Sequence, residues 1–204
     1  RLVANSASHD ATVEEVARTC SERIAERIAV NEQRLLRAPA IIEALYKNRN
    51  TRMSTADRLI ELAARNGVNL DGIPHFADAV EAVQGQLIPE PTDEPLPQDA
   101  VFQQTLLDDK DENAFQEDRA AGTEEVKQQY KPLSMLIHDM SKSEKLRLAL
   151  IGNMAARALL VRDHNRQVAM AAVNSPQLTI GEAANIARSK DVSEEILRFI
   201  GNKK

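Results

Sequence analysis

The sequence predicts an all-α protein: short stacked helices, α-solenoid-like, in two blocks joined by an acidic, Pro-rich linker. Three observations lead there. From residue 142 to 200 the chain reads KSEKLRLALIGN, MAARALLVRDHN, RQVAMAAVNSPQL, TIGEAANIARSKD and VSEEILRFIGN. Each piece has a start signal, an apolar run at helical spacing and a polar or Gly/Asn/Pro stop. None buries its apolar face alone, whereas stacked neighbours do. Seven Gly and eight Pro in 204 residues are too few for an all-β chain with many tight turns. Charge is segregated: residues 1–88 carry net −1, 89–125 net −10 and 126–204 net +6, within an overall −5. Such segregation marks domain organisation or an interaction segment.

The first block covers residues 1–87. Asp10 is placed to cap a helix through Thr19, with Val13, Val16 and Ala17 on its apolar side. A second helix over 21–36 is expected to place Ile24, Ile28, Leu35 and Leu36 inward. Pro39 suits the first turn of a third helix, where its missing N–H costs little. Ile41, Ile42, Leu45 and Tyr46 form that helix's apolar face, and Asn48 and Asn50 end it. Ser54 or Thr55 opens a fourth, with Leu59, Ile60, Leu62 and Ala63 inward and Gly67 where a left-handed C-terminal residue belongs. A short helix over 76–83 ends near Gly85.

The linker covers 88–123. Its first part, IPEPTDEPLPQD, holds four of the eight prolines and four carboxylates, a composition that reads as an extended, polyproline-like tether. Val101, Phe102, Leu106 and Leu107, then Phe115, permit a short amphipathic helix after it. That segment is a docking motif for a partner, a stretch that folds back on the basic block, or local hydrophobicity in a disordered linker. The second block, 124–204, opens with EEVKQQYKPLSMLIHDM, where Pro132 is expected to kink or break a helix. The five short helices follow.

Composition narrows the function classes. Hydrophobic residues at 43% and charged residues at 28% fit a soluble globular chain. With 3% aromatics and no Trp, Leu, Ile, Val and Ala build the core, which suits closely stacked helices better than a base-stacking surface. The single Cys20 excludes an intramolecular disulfide and a Cys-rich metal site, and reads as a small buried hydrophobe. No apolar stretch reaches the ~18 residues of a membrane span. No signal peptide is visible, so a cytoplasmic location is expected. The start at Arg1 and the GNKK ending suggest a piece of a longer repeat array, in which Leu197 and Ile200 would be left apolar on an outer face.

Chemistry-bearing motifs are absent from the text: no G-x-x-x-x-G-K-S/T, no G-x-G-x-x-G, no G-x-S-x-G and no H-E-x-x-H. No catalytic residue, cofactor or metal is expected, and the chain does not read as an enzyme. His9, His75, His138 and His164 are scattered, three of them beside Asp, and adjacent residues on a helix do not face one another. They read as structural or surface residues. Two R-x-x-x-R spacings put guanidinium groups on one helical face, Arg23/Arg27 and Arg162/Arg166. Arg23 and Arg27 are interleaved with Glu22 and Glu26 and read as a solvated salt-bridge face. Arg162 and Arg166 straddle the turn at Asp163 and Asn165, are less self-neutralised, and are candidates for an anion or acidic-peptide contact. With Arg157, and with Phe102, Leu106 and Leu107 of the acidic segment, they form the candidate partner-binding set. The acidic linker is expected to contact the C-terminal block within the molecule.

RDHNRQVAMAAV carries Asp163 in a turn, Asn165 after it, then Val168, Ala169 and Ala172. NSPQLTIGEAANIARSKDVSEEIL carries Asn174, Pro176, Thr179 and Glu182, and a weaker echo near the start uses Asn5, Ser6, Thr12, Glu15 and Ala17. These patterns resemble HEAT-like and leucine-rich-repeat-variant units, and the chain is also similar to uncharacterised bacterial helical-repeat proteins. The resemblance implies stacked helical pairs that hold proteins, and a few HEAT-like members bind DNA. The expected function is a non-catalytic protein-interaction scaffold or adaptor whose partner is another protein. The alternative is nucleic-acid or anion binding through the basic C-terminal block.

Overall fold

The computed structural model describes residues 3, 5, 7–106, 113–118 and 123–202. Over these residues the protein is all-α, with thirteen α-helices and one two-stranded ribbon. The chain divides into two units, residues 1–104 and 105–204. The boundary falls inside the stretch expected to be the linker, because part of that stretch packs onto the first unit.

In the first unit, α1 (Asp10–Thr19) packs on α4 (Ala40–Lys47), and α5 (Met53–Arg65) packs on α6 (Phe76–Val83). Asp10 begins α1 but does not cap it. Its carboxylate accepts from Arg37 Nε at 2.9 Å and Nη2 at 2.7 Å, a bidentate pair that a capping geometry would forfeit. The expected helix over 21–36 is two helices, α2 (Glu22–Ala29) and α3 (Glu32–Arg37), because the Asn31 side chain accepts from Arg34 N at 3.1 Å and starts α3 anew. The break leaves Ile24 exposed while Ile28 and Leu35 are buried, and Leu36 is half-buried. Ile41, Ile42, Leu45 and Tyr46 are all buried on α4. Beyond it, Asn48 Nδ2 donates to the carbonyls of Ala17 and Cys20 at 2.9 and 3.0 Å, which satisfies the otherwise orphaned C-terminal groups of α1. Gly67 ends α5 at φ 66°, with Gly67 N bonded to Ala64 O and Val68 N to Ala63 O, the paired bonds of a Schellman motif. Helix α7 spans Pro97–Leu106.

The second unit contains an antiparallel ribbon, β1 (Phe115–Asp118) against β2 (Thr123–Val126), pairing Phe115 with Val126. Among the described residues it is the one departure from the sheet-free expectation. A 3-10 turn over Gln128–Tyr130 leads into α8 (Lys131–Asp139), where Pro132 is the second residue of the helix. Pro132 therefore marks a start, where no N–H is needed, rather than a kink. The five short pieces become α9 (Lys142–Ile151), α10 (Met154–Leu160), α11 (Arg166–Val173), α12 (Ile180–Arg188) and α13 (Glu194–Asn202). Helix α9 packs on α11, and α10 lies against α8, α9, α11 and α12. Small residues permit this closeness: Ala149, Ala155, Ala156, Ala169 and Ala172 are all buried. Leu197 and Ile200 are half-buried. No helix among the described residues is long and apolar enough to cross a membrane.

Candidate functional site

The sequence of α2 is ERIAERIA, a tetrapeptide written twice. A four-residue period nearly matches the 3.6-residue turn, so each residue type forms its own stripe along the helix. Ala25, Ala29 and Ile28 are buried. The glutamates turn toward α5. Arg52 Nε donates to Glu22 Oε1 at 2.7 Å, and Thr55 Oγ1 lies 2.8 Å from both carboxylate oxygens of Glu26. Arg58 stands 3.9 Å from Glu26. Burial pushes the Glu26 carboxyl above its ordinary value, against the pull of the Thr55 hydrogen bond and of Arg52 and Arg58. The arginine stripe, Arg23 and Arg27, points into a cleft of about 670 Å3 that Arg52, Arg58 and Val30 also line.

A segment without regular secondary structure, residues 88–96, borders the cleft. Two anchors hold it. Arg52 Nη1 and Nη2 donate to the main-chain carbonyls of Thr92 and Asp93 at 2.8 and 3.0 Å. Asp99, buried at the start of α7, accepts from Ser54 N at 2.8 Å, Ser54 Oγ at 2.9 Å and Leu96 N at 2.9 Å. One carboxylate thus caps the N-termini of α5 and α7 together. Neither anchor follows from composition, which predicted an extended, polyproline-like tether.

The predicted partner-binding residues lie elsewhere and do not form one open surface. Arg157 is 4% exposed; its Nε donates to Glu182 Oε2 at 3.1 Å and its Nη1 to Gly152 O at 2.6 Å. Arg162 donates to Ala158 O and Ser189 Oγ at 2.8 and 2.9 Å, with its guanidinium 3.6 Å from the ring centroid of Phe115. This cation–π contact joins the end of the acidic stretch to the basic block through an aromatic ring. Arg166 is exposed and pairs with Glu195, whose carboxyl the guanidinium hydrogen bond holds below its ordinary value. Between Arg157, Arg162 and Asn113 lies a cavity of about 20 Å3, room for about one water. Phe102 and Leu106 are buried on α7. Leu107 lies outside the described residues.

Cys20 is buried, and burial pushes its thiol up. His75 precedes α6 in the left-handed region at φ 60° and sits 3.0 Å from Asp78. Among the described residues no group of three or more His, Cys, Asp or Glu side chains converges on a metal position. The resemblance positions serve local geometry: Asp163 accepts from Asn165 N at 2.7 Å, Asn165 caps α11, and Thr179 with Glu182 forms a capping box on α12.

Arg23 and Arg27 are exposed, as the solvated-face reading expects, but Glu22 and Glu26 are engaged by Arg52 and Thr55 rather than by them. Neighbours in a helix point about 100° apart, so an adjacent glutamate cannot face an arginine. Arg27 has no carboxylate three or four residues away in either direction, and Arg23 has only Glu26, which Thr55 holds. No family model, no curated protein and no solved structure matches this chain.

Proposed function

We propose that this protein is a non-catalytic interaction scaffold or adaptor of helical-repeat type, and that the cleft between α2 and α5 is a peptide-holding face. The observation that carries this reading is the grip of Arg52 on the successive carbonyls of Thr92 and Asp93. A guanidinium fork at a helix start holds an acidic, Pro-containing segment by its main chain, which any sequence of similar shape offers. Pro-rich chain carries little conformational entropy to lose, so a few such contacts suffice. The closely stacked helices of the second unit and the resemblance to HEAT-like units support a scaffold of the same kind. Nucleic-acid or anion binding through the C-terminal block gains no support from Arg157, Arg162 and Arg166, each of which is engaged within its own unit.

The test is a photo-crosslinking amino acid placed at Val30, 65% exposed beside the cleft, with the same residue at Ile180, 91% exposed in the second unit, as reference. The expected result is a discrete protein adduct at Val30, competed by unlabelled protein and absent at Ile180. Nucleic-acid adducts alone, or equal labelling at both positions, would overturn the reading.

A further inference from the structure

We propose that Arg23 and Arg27 form a carboxylate clamp for an extended acidic peptide, which lies in the α2–α5 cleft beside the 88–96 segment. The proposal rests on the reading of the cleft as a peptide-holding face and names the chemistry of its occupant. Four arginines line the cleft, and two are committed. Arg52 is held by Glu22 and by the carbonyls of residues 92 and 93, while Arg58 stands near Glu26 and Thr55. Arg23 and Arg27 have no hydrogen-bond or ion-pair partner among the described residues, although both border the cleft. An exposed pair of like charges one turn apart is mildly unfavourable in the free protein. A bound dianion relieves it.

The spacing selects the ligand. Four residues along a helix advance about 6 Å. Two residues along a β-extended chain advance about 6.6–6.8 Å and put their side chains on the same face. Side chains at alternate positions of an extended peptide therefore reach Arg23 and Arg27 in register, and each guanidinium fork can take a carboxylate bidentately. The carbonyls of Thr92 and Asp93 show that main chain is already held at this cleft by Arg52. The same cleft argues against a nucleic-acid strand. Glu22, Glu26 and Asp93 line it beside the arginines, and a continuous run of phosphates would meet those carboxylates, whereas two discrete carboxylates do not.

The experiment is fluorescence anisotropy with a labelled hexapeptide of alternating glutamate and threonine, which favours an extended chain, and with its glutamine–threonine counterpart. Saturable one-to-one binding is expected for the glutamate peptide, weaker at physiological than at low salt, with no comparable binding of the glutamine peptide. The double substitution R23Q/R27Q should weaken binding roughly tenfold or more. These side chains are exposed, so thermal unfolding should show an intact fold. R198Q, on the exposed face of α13, should bind as the parent protein does. D93N, which removes a carboxylate from the cleft rim, should tighten binding a few-fold. Failure of the parent protein to bind, equal binding of the glutamine peptide, or undiminished binding by R23Q/R27Q would each overturn the clamp. So would a labelled oligothymidylate that binds and is not displaced by the peptide. If the Val30 cross-link captures a protein and R23Q/R27Q captures it equally, the scaffold stands and the clamp falls. If the peptide behaves as expected and no protein is captured, the clamp stands and the scaffold reading falls.

Discussion

Helix α12 begins at a cap assembled from its own first turn. Thr179 Oγ1 accepts from Glu182 N at 3.2 Å, and the Glu182 carboxylate accepts from Thr179 N at 3.2 Å. Helix α5 is preceded by Arg52, whose side chain offers no acceptor, and receives its cap from Asp99, 45 residues beyond Ser54. The two solutions satisfy the same orphaned amides. They differ in what must fold first. The α12 cap forms as soon as the helix does, and Glu182 then serves a second purpose by holding the buried Arg157. The α5 cap exists only when the 88–96 segment has closed over the first unit and started α7. Local caps define helices, and a borrowed cap ties a helix to a loop.

The largest test of this contrast lies at the point where the local cap became a tertiary ion pair. Arg157→Ala leaves Glu182 buried without its guanidinium and should cost about 3–5 kcal/mol in urea unfolding. Replacing both members, Arg157→Met with Glu182→Leu, should cost markedly less, since no charge is stranded. A double variant as unstable as the single one would show that shape, not charge, governs the site.

Asp99→Ala removes three accepted hydrogen bonds and should cost about 1–3 kcal/mol. Hydrogen exchange sharpens the outcome. The amides of Ser54 and Leu96 should lose protection together, because one carboxylate serves both. Loss at only one of them would break the idea of a shared cap.

Thr179→Ala should cost about 1 kcal/mol, the ordinary value for a lost N-cap, because Arg157 still holds Glu182 in place. A cost equal to that of Arg157→Ala would mean that the cap and the ion pair act as one unit.

The smallest effect concerns Glu26, whose carboxyl is raised by burial in the folded state. Its ionisation opposes folding. The penalty is absent below the ordinary glutamate value of 4.5, grows as pH rises through the higher folded value, and is complete above it. Glu26→Gln should therefore raise the Tm slightly at neutral pH and leave it unchanged near pH 4. A lower Tm at neutral pH would show that the pull of Thr55, Arg52 and Arg58 outweighs desolvation.

The reading from sequence was strongest where the deciding contacts are close along the chain. The Thr179 and Glu182 capping box on α12, the Asn165 cap on α11 and the left-handed Gly67 all lie within a few residues of the turns they settle. The reading failed at Asp10, which looks like a cap until Arg37 arrives from 27 residues away. It failed again over 88–99, where a composition suited to a tether hides one buried carboxylate with three donors. For the cleft, the R-x-x-x-R spacing of Arg23 and Arg27 marked the arginine stripe, but only the packing of α5 shows which way the glutamates turn.

The sequence alone determined the all-α class, the five short helices of the second unit and most of their start and stop residues. These rest on helical periodicity and on hydrogen bonds between residues two to four apart, which exist in any context that lets the helix form. Tertiary structure alone decided that Asp99 caps α5, that Arg157 is buried rather than presented, and that Glu22 and Glu26 leave Arg23 and Arg27 facing the cleft. Each of those outcomes pairs groups roughly 25 to 45 residues apart. A charged side chain has several partners of comparable strength within reach, and only the packed helices select among them.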